Sequence, residues 1–175
     1  MNTDGPDPQD AAQAIHLPQP QEIPESERDD AMAAYLMMFA SLAVGLPLPL
    51  INLIASLVYY LVNRKASRFV AFHSLQSLLS HLPIALANGG LVAWVVVGLV
   101  LPGHFLPAFF WYLAFTVLLN LAYIVLSIIA LVHAHKGRFY YMPFFGRLSF
   151  LRLYGPRAEA RQKKVSWENR PPEGV

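Results

Sequence analysis

Apolar residues in this chain run in long blocks, without the alternation of a half-buried strand or the polar stripe of a soluble helix. Residues 31–135 are almost continuously apolar and are interrupted by one cationic cluster, Arg64, Lys65 and Arg68. The block at 105–132 exceeds the roughly 20 residues that carry a helix across a hydrocarbon layer of about 30 Å. A soluble helix of that length would show polar residues at the 3.6-residue period, and this block has almost none. The pattern predicts an all-α, polytopic integral membrane protein.

The breaks between blocks predict four spans. The first is expected over residues 29–45, opened by Ser26-Glu27-Arg28-Asp29, where the serine suits a cap and the acids suit the positive helix end. Leu46-Pro47-Leu48-Pro49 removes backbone donors and ends it. The second is expected over residues 50–63. At roughly 15–17 residues each, these pieces reach about 24 Å, marginal for a crossing. Because 33 residues are too many for one crossing, a tight hairpin of two short spans is favoured over one kinked span. The third helix, at 69–101, is the most polar, and Pro83 and Asn88-Gly89-Gly90 are expected to bend it. On it His73, Gln76, Ser77, Ser80 and His81 share one face, which should meet protein or water and not lipid. The fourth, at 105–135, opens with Phe109, Phe110, Trp111 and Tyr112, rings suited to the headgroup level. It closes on Lys136, Gly137 and Arg138, residues suited to a helix end.

Three regions follow: a Pro-rich acidic tail at 1–27, a four-span domain at 28–136 and a C-terminal tail at 137–175. The first tail has too few apolar residues to offset its ordering entropy and is expected to be disordered. Within the last, residues 139–154 alternate rings with cations. This fits an interfacial segment whose rings lie among headgroups and whose Arg147 and Arg152 meet anionic lipid. A short helix is expected at 156–164 and an extended, solvated end at 165–175.

Charge sets the topology. Residues 1–30 carry eight acids against Arg28 alone, and no acid occurs between Asp30 and Glu159. Cations accumulate on the cytoplasmic side of membranes. Arg64, Lys65, Arg68, Lys136, Arg138, Arg147 and Arg152 therefore read as membrane-surface anchors. They predict a protein of the bacterial cytoplasmic (inner) membrane with both termini cytoplasmic. The N-terminus lacks the pattern of a cleavable signal, so insertion is expected to rely on the internal spans. A pI near 9.0 reflects this basic zone and does not imply nucleic acid. With 55% hydrophobic residues and a mean hydropathy of +0.40, composition agrees with the membrane class.

The chemistry this leaves is limited. There is no cysteine, so thiolate catalysis, thiolate metal sites and disulfides are excluded. His81 is costly in a membrane and needs a partner, for which Asn120 and Tyr123 are the candidates. His133 and His135 stand two apart, the wrong spacing for a pair of ligands on one helix face. They are expected to meet the helix-end carbonyls and lipid headgroups. No phosphate loop or nucleophile elbow is present, and an enzyme is not expected. Spans free of acids argue against a proton-coupled transporter or cation channel. No cofactor is predicted, though the rings would suit a bound lipid, quinone or pigment.

Several motifs also resemble a known group. They are Leu61-Val62-Asn63-Arg64-Lys65, Phe72-His73-Ser74-Leu75-Gln76-Ser77-Leu78 and His133-Ala134-His135-Lys136-Gly137-Arg138-Phe139. Over about residues 27–147 the chain is similar to small four-helix bacterial membrane proteins, which are distantly similar to the 20-kDa subunit of the chloroplast inner-envelope protein translocon. The resemblance implies four helices with both termini on the cytoplasmic or stromal side, and no catalytic residue. The expected function is a non-catalytic, structural or accessory subunit of a larger membrane complex, with an energy-transducing complex as one setting. Its partners would be lipid and other membrane subunits, or further copies of itself. The alternative is a translocon- or channel-like conduit formed by oligomerisation. The polar face of the third helix separates the two: wet for a conduit, buried for a scaffold.

Overall fold

The computed structural model describes residues 17–39, 49–101, 106–155 and Asn169. All regular structure among them is helical. A 3-10 turn at Pro20–Glu22 leads into α1 (Glu25–Leu36), which tightens into a 3-10 turn at Met37–Phe39. Then come α2 (Pro49–Asn63), α3 (Arg68–Val100), α4 (Pro107–His135) and α5 (Phe145–Tyr154).

Local chemistry accounts for the ends. The first turn of α1 hangs from the Pro24 carbonyl, which accepts from the amides of Glu27 and Arg28. Ser26, expected to cap, lies inside that turn instead. The α3 start is capped by Ser67, whose Oγ accepts from the Val70 amide at 3.1 Å. Pro107 opens α4, where a missing N–H costs nothing. Gly137, at φ 69°, closes it: its own amide bonds Ala134 and that of Arg138 bonds His133. This is the paired bonding of a glycine-ended helix. As expected, α3 is one continuous helix, and it runs through Pro83 and Gly89-Gly90.

Helix α3 is the centre, packed by α1, α2, α4 and α5. The starts of α1 and α3 gather at one end with the ends of α2 and α4. There the Tyr59 hydroxyl donates to the Asp30 carbonyl at 2.7 Å, and His135 Nδ1 lies 3.7 Å from Asp29. Over the same end sits an aromatic cap. Leu17, Ile23, Tyr35, Phe69, Phe72, Phe139, Met142, Phe150 and Tyr154 are all buried in it.

Two helices, α3 with 33 residues and α4 with 29, are long and apolar enough to cross a membrane. Only 17% and 22% of their most apolar stretches are buried, which a soluble core helix would not tolerate. The polarity of α4 is inverted over most of its length. The buried stripe of α4 carries Thr116, Tyr123, Ser127, Ala130 and Ala134, while Trp111, Leu118, Leu121, Val125 and Ile128 face outward. Small and polar residues inside with large aliphatics outside is the arrangement of helices packed in lipid. The four-span expectation is met in part: α1 opens on charge, and α2 has only 15 residues.

Three expectations need correction. Residues 17–23 are ordered against the cap, since Leu17 and Ile23 bury there and Arg28 donates to the carbonyls of Pro20 and Ile23. The ring of Phe139 packs on Phe69 and Phe72, and those of Phe150 and Tyr154 are buried in the same cluster, so these three rings are not laid out on the surface. Asn169, placed in a solvated end, is 2% exposed. Expectations for the Leu46-Pro47-Leu48 break, the 102–104 turn and the 156–164 helix fall outside the described residues.

Candidate functional site

The polar face of α3 is the one constellation with chemistry, and the fold closes it. The Tyr35 hydroxyl lies 2.9 Å from His73 Nδ1 and accepts from Gln76 Nε2 at 2.8 Å. The Nε2 of His73 is buried without a hydrogen-bond partner among the described residues. Gln76 Oε1 accepts from the Met142 amide at 3.2 Å, so one side chain ties α1 to the segment before α5. One and two turns deeper, Ser77 Oγ donates to the Ala34 carbonyl and Ser80 Oγ to the Ser77 carbonyl. His81 Nδ1 meets the Tyr123 hydroxyl at 2.9 Å. His73, Gln76, Ser77, Ser80 and His81 are each no more than 4% exposed.

The two candidate partners of His81 separate. Tyr123 bonds it, whereas Asn120 exchanges amide bonds of 2.8 and 3.1 Å with Asn88 and also donates to the Thr116 carbonyl. Farther along, the Tyr112 hydroxyl donates to the Ala87 carbonyl. His133 Nδ1 meets the Ile129 carbonyl, while His135 turns to Asp29. No group of three or more His, Asp or Glu suited to holding a metal occurs among the described residues. The cations expected to anchor at the membrane surface collect at the capped end. Arg64, Lys65, Lys136, Arg147 and Arg152 are exposed there, Arg138 is half-buried, and Arg68 stands over the Tyr154 ring at 5.8 Å.

Asn169 completes the cap. Its Oδ1 accepts from the Phe139 amide, and its Nδ2 donates to the carbonyls of Pro18 and Gly137. Sequence reasoning missed this residue, Tyr35 and α5. The first two bond across 150 and 38 positions, beyond any local pattern. Helix α5 did leave a signal, since Gly146, Ser149, Phe150 and Tyr154, its buried face, fall at helical spacing.

Fold and site together define a membrane-associated protein, helical throughout its described regular structure, in which most polar side chains of the α3 face hold its own helices together. Residues 27–149 match the model of the MamF/MmsF family, the magnetosome magnetite crystal formation protein family, and the chain belongs to that family. No curated protein and no solved structure matches it. The family match overturns the resemblance to the chloroplast translocon subunit, which is not supported. The motifs that suggested it lie within the matched residues, and a succession of apolar helices is shared by unrelated membrane proteins.

Proposed function

We propose that the chain is a non-catalytic accessory protein of the magnetosome membrane, serving magnetite crystal formation by packing against other membrane proteins and lipid. One observation carries this reading: the polar residues of α3 are buried and bonded within the chain, leaving hydrocarbon as the outer face of α3 and α4. A conduit would need those groups on a wet path. In this reading α1 and α2 form a short hairpin beside α3 and α4, giving four crossings with both tails on the cytoplasmic side. The gathering of Arg64, Lys65, Arg68, Lys136 and Arg138 at the capped end supports that orientation.

The absence of native cysteine makes accessibility labelling a clean test. Single cysteines at Ser77 and Ser80 should resist a membrane-impermeant thiol reagent, while Ala66→Cys and Leu101→Cys should label from opposite faces of a vesicle. Aqueous labelling at Ser77→Cys and Ser80→Cys would replace the accessory reading with a conduit. Purification in gentle detergent with mass spectrometry should then recover stoichiometric membrane partners. A protein that always runs alone would sink the accessory role.

A further inference from the structure

Two cavities adjoin on the flank of α5, and they share Met142 and Pro143. The outer one is an open groove of about 600 Å³ that includes Phe144, Arg147, Leu148 and Leu151 in its walls. The inner one is a slot of about 200 Å³ between α3 and α4, walled by Ile84, Leu119, Ala122 and Leu126 among others. The slot is almost wholly apolar and lies within the helices long enough to span. The groove has one exposed cation, Arg147, which makes no ion pair among the described residues.

The wall common to both is held in place. Gln76 accepts from the Met142 amide, and the Met142 carbonyl accepts from Gly146. Beside it Phe144 adopts φ 66°, a left-handed backbone that bulky residues avoid, and this holds its ring 77% exposed at the groove mouth. A cation and an outward ring at one cavity, beside an apolar slot that shares its Met142-Pro143 wall, match the two halves of one amphiphile.

We propose that the groove and slot form a single site for an anionic phospholipid. Arg147 holds the phosphate, Phe144 lies against the headgroup region, and one acyl chain enters the slot between α3 and α4. The site rests on the membrane placement of α3 and α4 and is independent of the accessory role. It also differs from diffuse surface attraction, since Arg152 on the same helix lines neither cavity.

Native mass spectrometry of the full chain in mild detergent, with phosphatidylglycerol or phosphatidylcholine added, tests it. The wild type should retain one phosphatidylglycerol roughly fivefold more than phosphatidylcholine, the worth of about 1 kcal/mol. Arg147→Gln should remove that preference, and Ala122→Phe should lower retention of both lipids by filling the slot. Ala122 is exposed, so the larger ring does not disturb a packed core. Arg152→Gln should change nothing. Equal retention of the two lipids overturns the proposal, as does an Arg152→Gln effect as large as that of Arg147→Gln. Displacement of the lipid by inorganic phosphate would reduce the site to a simple anion contact and overturn it too. Flotation with vesicles reads membrane insertion separately, so a chain that floats but retains no lipid loses only the site.

Discussion

Tyr35 has one hydroxyl, and the fold uses it twice, in a bond with His73 and as acceptor from Gln76. Tyr35→Phe keeps the ring and strands two buried polar groups, at a cost of about 1–3 kcal/mol. Thermal unfolding in detergent should show the loss as a fall in Tm of several degrees. Gly146 is constrained differently. A Cβ there would stand 2.5 Å from the Tyr141 Cα and 2.8 Å from Gln76 Oε1. Gly146→Ala must therefore push α5 off α3, destabilising by about 1–3 kcal/mol and exposing the Met142 amide to hydrogen exchange. Tyr141 and Tyr154 add a pH dependence. Burial raises both phenols well above the ordinary value, with Arg68 a smaller opposing influence at Tyr154. Below about pH 10 both states hold the proton and stability is level. Above it only the unfolded chain ionises, so the cap should weaken as pH rises, seen as tyrosinate absorbance appearing together with unfolding. Ionisation of both phenols at their ordinary value without unfolding would refute the burial argument.

At the scale of elements, the inverted polarity of α4 makes a contrast that a soluble helix would reverse. Ala130, fully buried on the inner stripe, should not accept a larger side chain, and Ala130→Leu should cost about 1–3 kcal/mol. Leu121→Ala, on the outward face, should leave the melting temperature in detergent nearly unchanged. These helices were legible in the sequence because apolar runs and their punctuation are local. Ser67, Pro107 and Gly137 mark ends within a residue or two of those expected. The polar face of α3 was legible for the same reason, since His73, Gln76, Ser77, Ser80 and His81 repeat at helical spacing. What closes that face was legible only in part. Tyr123 is one of the two residues expected for His81, but Ala34, Tyr35 and Met142 come from other elements, and nothing in their own neighbourhoods marks them as acceptors or donors. The aromatic run at 139–154 was read as lipid-facing because rings and cations serve a headgroup layer and a packed cap equally well.

For the whole molecule, the largest apolar cluster sits at one end, over the starts of α1 and α3 and the end of α4, with Asn169 tying Pro18 to Gly137 and Phe139. Asn169→Ala should free the Phe139 amide and loosen residues 17–19, read as faster hydrogen exchange at both places with the α3 interior unchanged. Equal exchange in the variant would mean that the apolar contacts of Leu17 and Ile23 hold the segment unaided. The staple also orders events during synthesis. Its two sides are separated by about 150 residues of chain, so all of α1 to α5 must leave the ribosome before the first described residues can lock. Until then the Phe139 amide and the Pro18 and Gly137 carbonyls lack the bonds that Asn169 gives them. The interval between emergence of α5 and of Asn169 is thus when residues 17–19 are held by their apolar contacts alone.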